Sequence, residues 1–290
     1  KQILYNLRIN VEPKSSKNFG PADIEDLMKR LQVKSITLPA VPTYKRSKKK
    51  VVRTLEIDLA DVHFGLLAWK PETGENYDLH IAQQYVLSAA AKIVQRYAGR
   101  DIDVVNIVSL GDILHVDNCN LTTAHGTKQD CEGRVPKMMD TAIETVCAFI
   151  RTIESGLQVP VRYIYVPGNH DETIGYALAK VVEMAFVMDK NVTCDVSPST
   201  FKCINYGATA VMVCHGEANS KRLGNAMMSK FRSEFGNSIE AEAHCGHLHS
   251  VDIDTQTPVS IIRVNAVTEP SYWENSMAFA HHERGMTTFL

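Results

Sequence analysis

The sequence predicts an α/β protein, on two observations. Strand-like and helix-like stretches alternate from residue 51 onward, and such alternation builds layers of sheet and helix. Short clusters of His, Asp, Asn and Gly follow the strand-like stretches: Asp61-Val62-His63, Gly111-Asp112, Gly168-Asn169-His170-Asp171, His215-Gly216 and Gly246-His247-Leu248-His249. In layered α/β folds, ligands gather beyond the carboxyl ends of strands. Loops after separate strands can therefore converge on one site.

Residues 1–50 read as a basic N-terminal arm or the remnant of an upstream domain, and 51–290 as the main domain. In the arm, Ile24, Leu27, Met28 and Leu31 fall at helical spacing after Pro21-Ala22-Asp23. Pro39, Pro42 and a basic run over 44–50 mark a linker. Residues 51–59 are rich in β-branched and apolar side chains and read as a strand. Asp78 is placed to cap a helix with Leu79, Ala82, Tyr85, Val86, Ala89, Ile93 and Tyr97 on one face, and Gly99 as its stop. The near-continuous apolar run 102–109 predicts a buried strand. Pro136 suits a helix start, followed by Met138, Ala142, Val146 and Phe149 as core positions. Then come a strand at 161–166 and a helix at 173–187. Strands at 201–205 and 208–213 join at Tyr206-Gly207. A helix at 221–235, a strand at 239–244, and short strand-like runs at 259–265, 277–282 and 286–290 complete the chain.

The chain has 290 residues, 44% hydrophobic and 22% charged, which suits a globular body of one large domain. No apolar run reaches the roughly 18 residues of a membrane span, and no secretory signal opens the chain. The expectation is a cytoplasmic protein without a membrane partner. Seven cysteines with no CxxC pair read as reduced thiols. Cys214 and Cys245 lie near motif histidines; Cys214, adjacent to His215, would point to the opposite face of a strand. The net charge of -2 divides into +8 over residues 1–50 (12 Lys/Arg against 4 Asp/Glu) and -10 over the rest. The basic run is either a solvated linker or a contact to nucleic-acid phosphates. The acidic body is in keeping with bound divalent cations.

Asp61 and His63 are two apart, as are His247 and His249, and residues i and i+2 of an extended segment face the same way. Either pair can grip one ion. Asp112 follows Gly111, which lets the backbone turn sharply, and its carboxylate has two oxygens for two cations. Asn169 offers a neutral carbonyl oxygen and His215 an imidazole. Two ions so held can activate water and stabilise the leaving group of a phosphate ester. Imidazole, carboxylate and amide together suit Mn, Fe or Zn better than Ca or Mg.

These five motifs, in this order, resemble those of the calcineurin-like metallophosphoesterase superfamily: DxH, GD, GNH(D/E), H and GHxH. The resemblance covers about residues 51–290. It implies a four-layer α-β-β-α sandwich of two mixed sheets and two divalent metal ions, with manganese favoured. By that resemblance Asp61, His63, Asp112 and His249 hold one ion. Asp112, Asn169, His215 and His247 hold the second, with Asp112 bridging. His170 faces substrate as proton donor or charge stabiliser. Asp171 either orients His170 or caps the following helix.

Gly111-Asp112-Ile113-Leu114-His115 looks like the GDxxH form of the double-strand-break repair nucleases in this superfamily, including the bacterial SbcD type, where the extra His positions DNA phosphate. Asp61-Val62-His63-Phe64-Gly65 also resembles their first motif. The chain departs from them in lacking a long capping domain and room for an ATPase-binding tail. The stretch Asp117-Asn118 with 122–130 looks like a segment of phage- and prophage-encoded members, and that resemblance implies an upstream winged-helix-like DNA-binding region of which residues 1–50 are the remnant. His125 within it is an ordinary loop histidine or a substrate-edge residue. Three functions follow as expectations. The first is a DNA nuclease, exonuclease-like, with His115 as a substrate-facing residue. The second is a phosphodiesterase of cyclic or linear nucleotides. The third is a DNA-binding module on a non-catalytic phosphoesterase fold. A homodimer is compatible with each.

Overall fold

The structure is a computed structural model and describes residues 52–255, 258–279 and 284–290. The basic arm, its helix and its linker lie outside the described residues.

Two five-stranded mixed sheets form the centre. In the first, β1 (Thr54–Leu59), β2 (Val104–Ser109), β3 (Val161–Tyr165) and β4 (Val192–Asp195) run parallel, and β10 (Thr287–Phe289) pairs antiparallel with β1. The second has the order β5 (Phe201–Tyr206), β6 (Thr209–Cys214), β7 (Glu240–Cys245), β9 (Ser260–Arg263), β8 (Asp252–Asp254). Its inner pairs are parallel and its two outer pairs antiparallel.

The period of two along each strand sorts the core into three layers of contact. Leu55, Ile57 and Leu59 of β1, with Val105 and Ile107 of β2, face outward. They pack on the apolar stripes of α2 (Leu79–Tyr97), α3 (Val135–Leu157) and α4 (Glu172–Phe186). The opposite face supplies Ala60, Val108, Leu110, Ile164 and Val166, which meet Val211, Val213, Ile204 and Val264 of the second sheet. Ala210, Met212, Cys214, Ala243 and Cys245 then face Leu223 and Met227 of α5 (Ser220–Lys230). The result is the four-layer α-β-β-α sandwich of two mixed sheets.

Local chemistry sets the element ends. The Asp78 carboxylate accepts from the Ile81 N–H at 2.8 Å and caps α2, a bond that typically stabilises a helix by about 1 kcal/mol. Gly207, at φ 65, turns β5 into β6. The single helix expected over 221–235 is instead two, α5 and α6 (Arg232–Asn237), broken at Phe231 with φ -117 and ψ 48. The break lets Phe231 and Phe235 both pack on the second-sheet core. Residues 277–279 form a turn and irregular backbone rather than a strand, because α7 (Tyr272–Ser276) precedes them behind a Ser271/Glu274 capping box. A short α1 (Lys70–Thr73) completes the described helices. No helix among the described residues is long and apolar enough to cross a membrane.

Candidate metal centre

All five motifs meet at the carboxyl ends of strands. Asp61 and His63 follow β1, Asp112 follows β2, Asn169 and His170 follow β3, His215 follows β6, and His247 and His249 follow β7. The first three loops come from one sheet and the last two from the other. Close backbone approach makes this convergence possible. Gly111 has φ 89, and a Cβ on it would sit 2.6 Å from Gly168 Cα. A Cβ on Gly246 would strike the Asp61 carboxylate. Either substitution would force two site loops apart.

The backbone is strained at the side chains that matter. Asp61, His63, Asp112, His247 and His249 all have left-handed φ between 49 and 72. They are five of the eight non-glycine positions with positive φ among the described residues. Such conformations cost on the order of 1–3 kcal/mol each and persist where the surroundings over-determine them.

Three groups of side chains gather here: His63, His115 and His170 form one, and the other two each include a carboxylate. Asp61, His63 and His249 bring one potential ligand atom each within 4.8 Å of one another, and so do Asp112, His215 and His247. Asp112 Oδ2 lies between them, 3.8 Å from His63 Nε2 and 3.2 Å from His215 Nε2. Asn169 Oδ1 is 2.8 Å from His215 Nε2 and joins the His215 group. Asp61, His63, Asp112 and His215 are buried, while Asn169, His170, His247 and His249 are partly open to solvent. Neither Cys214 nor Cys245 belongs to a group; both pack on the helix side of the second sheet.

The donor set fits divalent cations. His63 Nε2 and His249 Nε2 face each other at 3.2 Å, as do His215 Nε2 and His247 Nδ1. Two imidazole lone pairs approach so closely only with a proton or cation between them. Asp61 Oδ1 is buried with no hydrogen-bond partner. Burial pushes the Asp61 carboxyl up and opposes ionisation of Asp112, yet the histidines around Asp112, His215 first, hold it well below the usual carboxylate range. Burial also pulls His215 down, but Asp112 more than offsets this and raises it to about 10. Burial lowers His247 to about 4.

Three of these histidines are oriented from behind. His215 Nδ1 donates to the Leu110 carbonyl at 2.8 Å, which turns its Nε2 toward the centre. His249 Nδ1 lies 2.9 Å from Glu274 Oε1, so its Nε2 faces Asp61. His63 Nδ1 is 3.2 Å from His115 Nδ1, and its Nε2 faces inward. A partner of this kind fixes tautomer and ring direction and characterises metal-binding histidines.

Two residues sit differently from their expected roles. His115 is only 3% exposed. It lies beside His63 and stacks on His170 with ring centroids 5.3 Å apart, and burial lowers its pKa to about 3. Asp171 neither orients His170 nor caps α4 with its side chain. Its carboxylate accepts from the Asp112 and Leu114 N–H groups at 3.2 and 2.9 Å, and so shapes the loop that carries Asp112. Burial, then the nearby Asp112 charge, pushes Asp171 up to about 7. His170 is held by its own Nδ1, which donates to the His115 carbonyl at 2.9 Å. His125 is exposed, on a turn tied to the centre by the Ala124 N–H to the Asn169 carbonyl at 3.2 Å.

Glu274 is the residue that motif spacing does not reveal. It closes the α7 capping box and meets His249 in the same geometry. Burial opposes its ionisation, but His249 holds it at about 2. Glu274→Gln is expected to weaken binding of the ion at His249 by about 10–100-fold, measured by metal titration. A variant with unchanged affinity would remove Glu274 from the centre. His115→Ala is expected to weaken binding of the ion at His63 by about 10–100-fold, because it loosens the His63 ring, measured by metal titration. Unchanged affinity would remove His115 from the support of His63.

No family model matches the chain, and no curated protein matches it. Solved structures do. A conserved uncharacterized protein from Streptococcus pneumoniae TIGR4, described as a predicted phosphoesterase, is similar at 14% identity over 74% of each chain, with a TM-score of 0.30. Yfce, a phosphoesterase from E. coli, is similar at 12% identity over 74% of this chain and 81% of that one, with a TM-score of 0.37. Vps29 complexed with zinc from Entamoeba histolytica is similar at 11% identity over 81% of this chain and 84% of that one, with a TM-score of 0.36.

Proposed function

We propose that the protein is a dinuclear metal-dependent phosphodiester hydrolase. The observation that carries this reading is the inward aim of His63, His215 and His249, each fixed from behind, around a shared Asp112 carboxylate. Asp61, His63, Asp112 and His249 would hold one ion, and Asp112, Asn169, His215 and His247 the other; manganese, iron or zinc suits these donors. When bound, such a pair offsets phosphoryl charge and lowers the pKa of water. The chain's own residues supply the rest. Asp112 Oδ1 accepts from the His170 N–H at 2.9 Å, which sets the His170 ring beside the centre. With Nδ1 committed to the His115 carbonyl, His170 has Nε2 left to carry a proton to the leaving oxygen.

The substrate class proposed is a nucleic-acid phosphodiester, with the protein acting as a DNA nuclease. Exposed rings support it. Tyr272 and Trp273 are exposed in α7, the helix that carries Glu274, and the exposed Phe279 ring lies 5.5 Å from Trp273. Asn275 Nδ2 donates to the Glu72 carbonyl, which brings α1 and the adjacent exposed Trp69 alongside. Base stacking on such rings stabilises single-strand binding by roughly 1–3 kcal/mol per base. Nucleotide phosphodiesterase activity is the second reading, since one ring suffices for one base. The test compares single-stranded DNA, cyclic nucleotides and bis-p-nitrophenyl phosphate with manganese added. DNA cleavage is expected. Turnover of cyclic nucleotides alone would leave the phosphodiesterase and remove the nuclease. No turnover of any ester would remove both.

A further inference from the structure

A second group of metal-binding side chains lies between the two sheets, outside the centre just described. Glu56 and Asp58 point inward from β1, and His244 points at them from β7. One ligand atom of each lies within 4.8 Å of the others. His244 Nδ1 is 2.5 Å from Glu56 Oε1 and 3.9 Å from Asp58 Oδ2. Asp58 is 0% exposed, and neither of its carboxylate oxygens has a hydrogen-bond partner. Burial, then the neighbouring Glu56 charge, pushes the Asp58 carboxyl well above the usual carboxylate range, so keeping it ionised here calls for a cation beside it.

The surroundings aim these atoms at one point. Glu242 Oε2 accepts from His244 Nε2 at 3.1 Å, which turns Nδ1 toward Glu56 and Asp58. Metal-bound histidines are held in this manner. Tyr206 donates to Glu56 Oε2 and receives a bond from Asn106 Nδ2 at 2.8 Å. Glu56 Oε1 is thereby left for the cluster. Phe289 covers the site by stacking on His244 at 4.1 Å. Among the described residues, no Lys or Arg pairs with Glu56, Asp58 or Glu242. A proton on His244 would offset one formal charge of Glu56 and Asp58. A divalent ion would offset both.

We propose that Glu56, Asp58 and His244 hold a structural divalent metal ion between the sheets. One imidazole nitrogen, one Glu56 oxygen and the two free oxygens of Asp58 make a four-donor N/O set, which suits zinc. The ion would join the first sheet to the second away from the hydrolytic centre, and the proposal does not depend on the phosphodiesterase reading.

The test uses the whole protein loaded with zinc alone. Metal content is measured for the wild type and for Asp58→Asn, which keeps the side chain's size. A fall of one equivalent per chain is expected in the variant. Crystals of the zinc-loaded wild type should show an anomalous peak about 2.0–2.2 Å from His244 Nδ1. Equal metal content in the two proteins, or no peak at that place, would overturn the proposal. If Asp58→Asn does not fold, the wild-type peak decides alone. Lost hydrolysis with the peak in place would count against the hydrolytic reading and leave this site standing.

Discussion

Asp112→Asn is expected to abolish phosphodiester hydrolysis and to weaken both ions of the centre. The activity loss should exceed about 10²-fold, since even outer partners of a metal site reach that range. The reason is position. One carboxylate oxygen stands 3.8 Å from His63 Nε2 and 3.2 Å from His215 Nε2, between the two ligand groups. The other accepts the His170 N–H. Asparagine keeps the volume and an acceptor for that N–H, so the loop survives, but the charge that serves two cations is gone. His249→Ala removes a ligand from one group only and should lower metal content by one equivalent. Metal stoichiometry on both variants checks the difference. An Asp112→Asn protein that kept two full equivalents would show that Asp112 does not bridge.

His170→Ala has the second large effect. It should retain metal and lose turnover on the order of 10²–10⁴-fold for an ester with a poor leaving group. The Nδ1 bond to the His115 carbonyl holds the ring even without substrate. Its removal leaves nothing at that position to protonate the departing alkoxide. Bis-p-nitrophenyl phosphate releases a stable phenolate and should suffer less. Equal losses on good and poor leaving groups would assign His170 to charge stabilisation and exclude the acid.

The convergence of the motif loops is legible in the sequence because each motif is local. Asp61-Val62-His63 and Gly246-His247-Leu248-His249 are short enough for spacing alone to pair their side chains. The strand ends were legible because β1, β2, β3 and β6 are buried on both faces and read as apolar runs. β4 and β8 are short and lie at sheet edges. Half-exposed edges lack that pattern, and neither strand was foreseen. Spacing places His115 on its loop but not on a side of it: the backbone there follows β-type pairing of Phe64 with Leu114, which turns His115 inward behind His63. The carboxylate partners of Asp171, which holds the N-cap position of α4, are hidden from spacing for the same reason. Its carboxylate reaches across to the Asp112 loop, 59 residues earlier in the chain. Glu274 had a signal. Ser271 followed three residues later by Glu274 is a capping-box spacing, but the second task of that carboxylate, on His249, exists only in three dimensions.

The layer between the sheets has a mechanical consequence. Its apolar part is small, and buried Glu56, Asp58, Asn106 and His244 interrupt it. The proposed centre draws side chains from both halves, so ions bound there would act as rivets as well as reagents. Ligation at a hundredfold excess over the dissociation constant adds about 2.7 kcal/mol to the folded state, and here that energy falls on the seam. Stripped of its ions, the molecule should open first along this seam, with each sheet keeping its own helices. Loss of catalysis and loss of cohesion would then be one event.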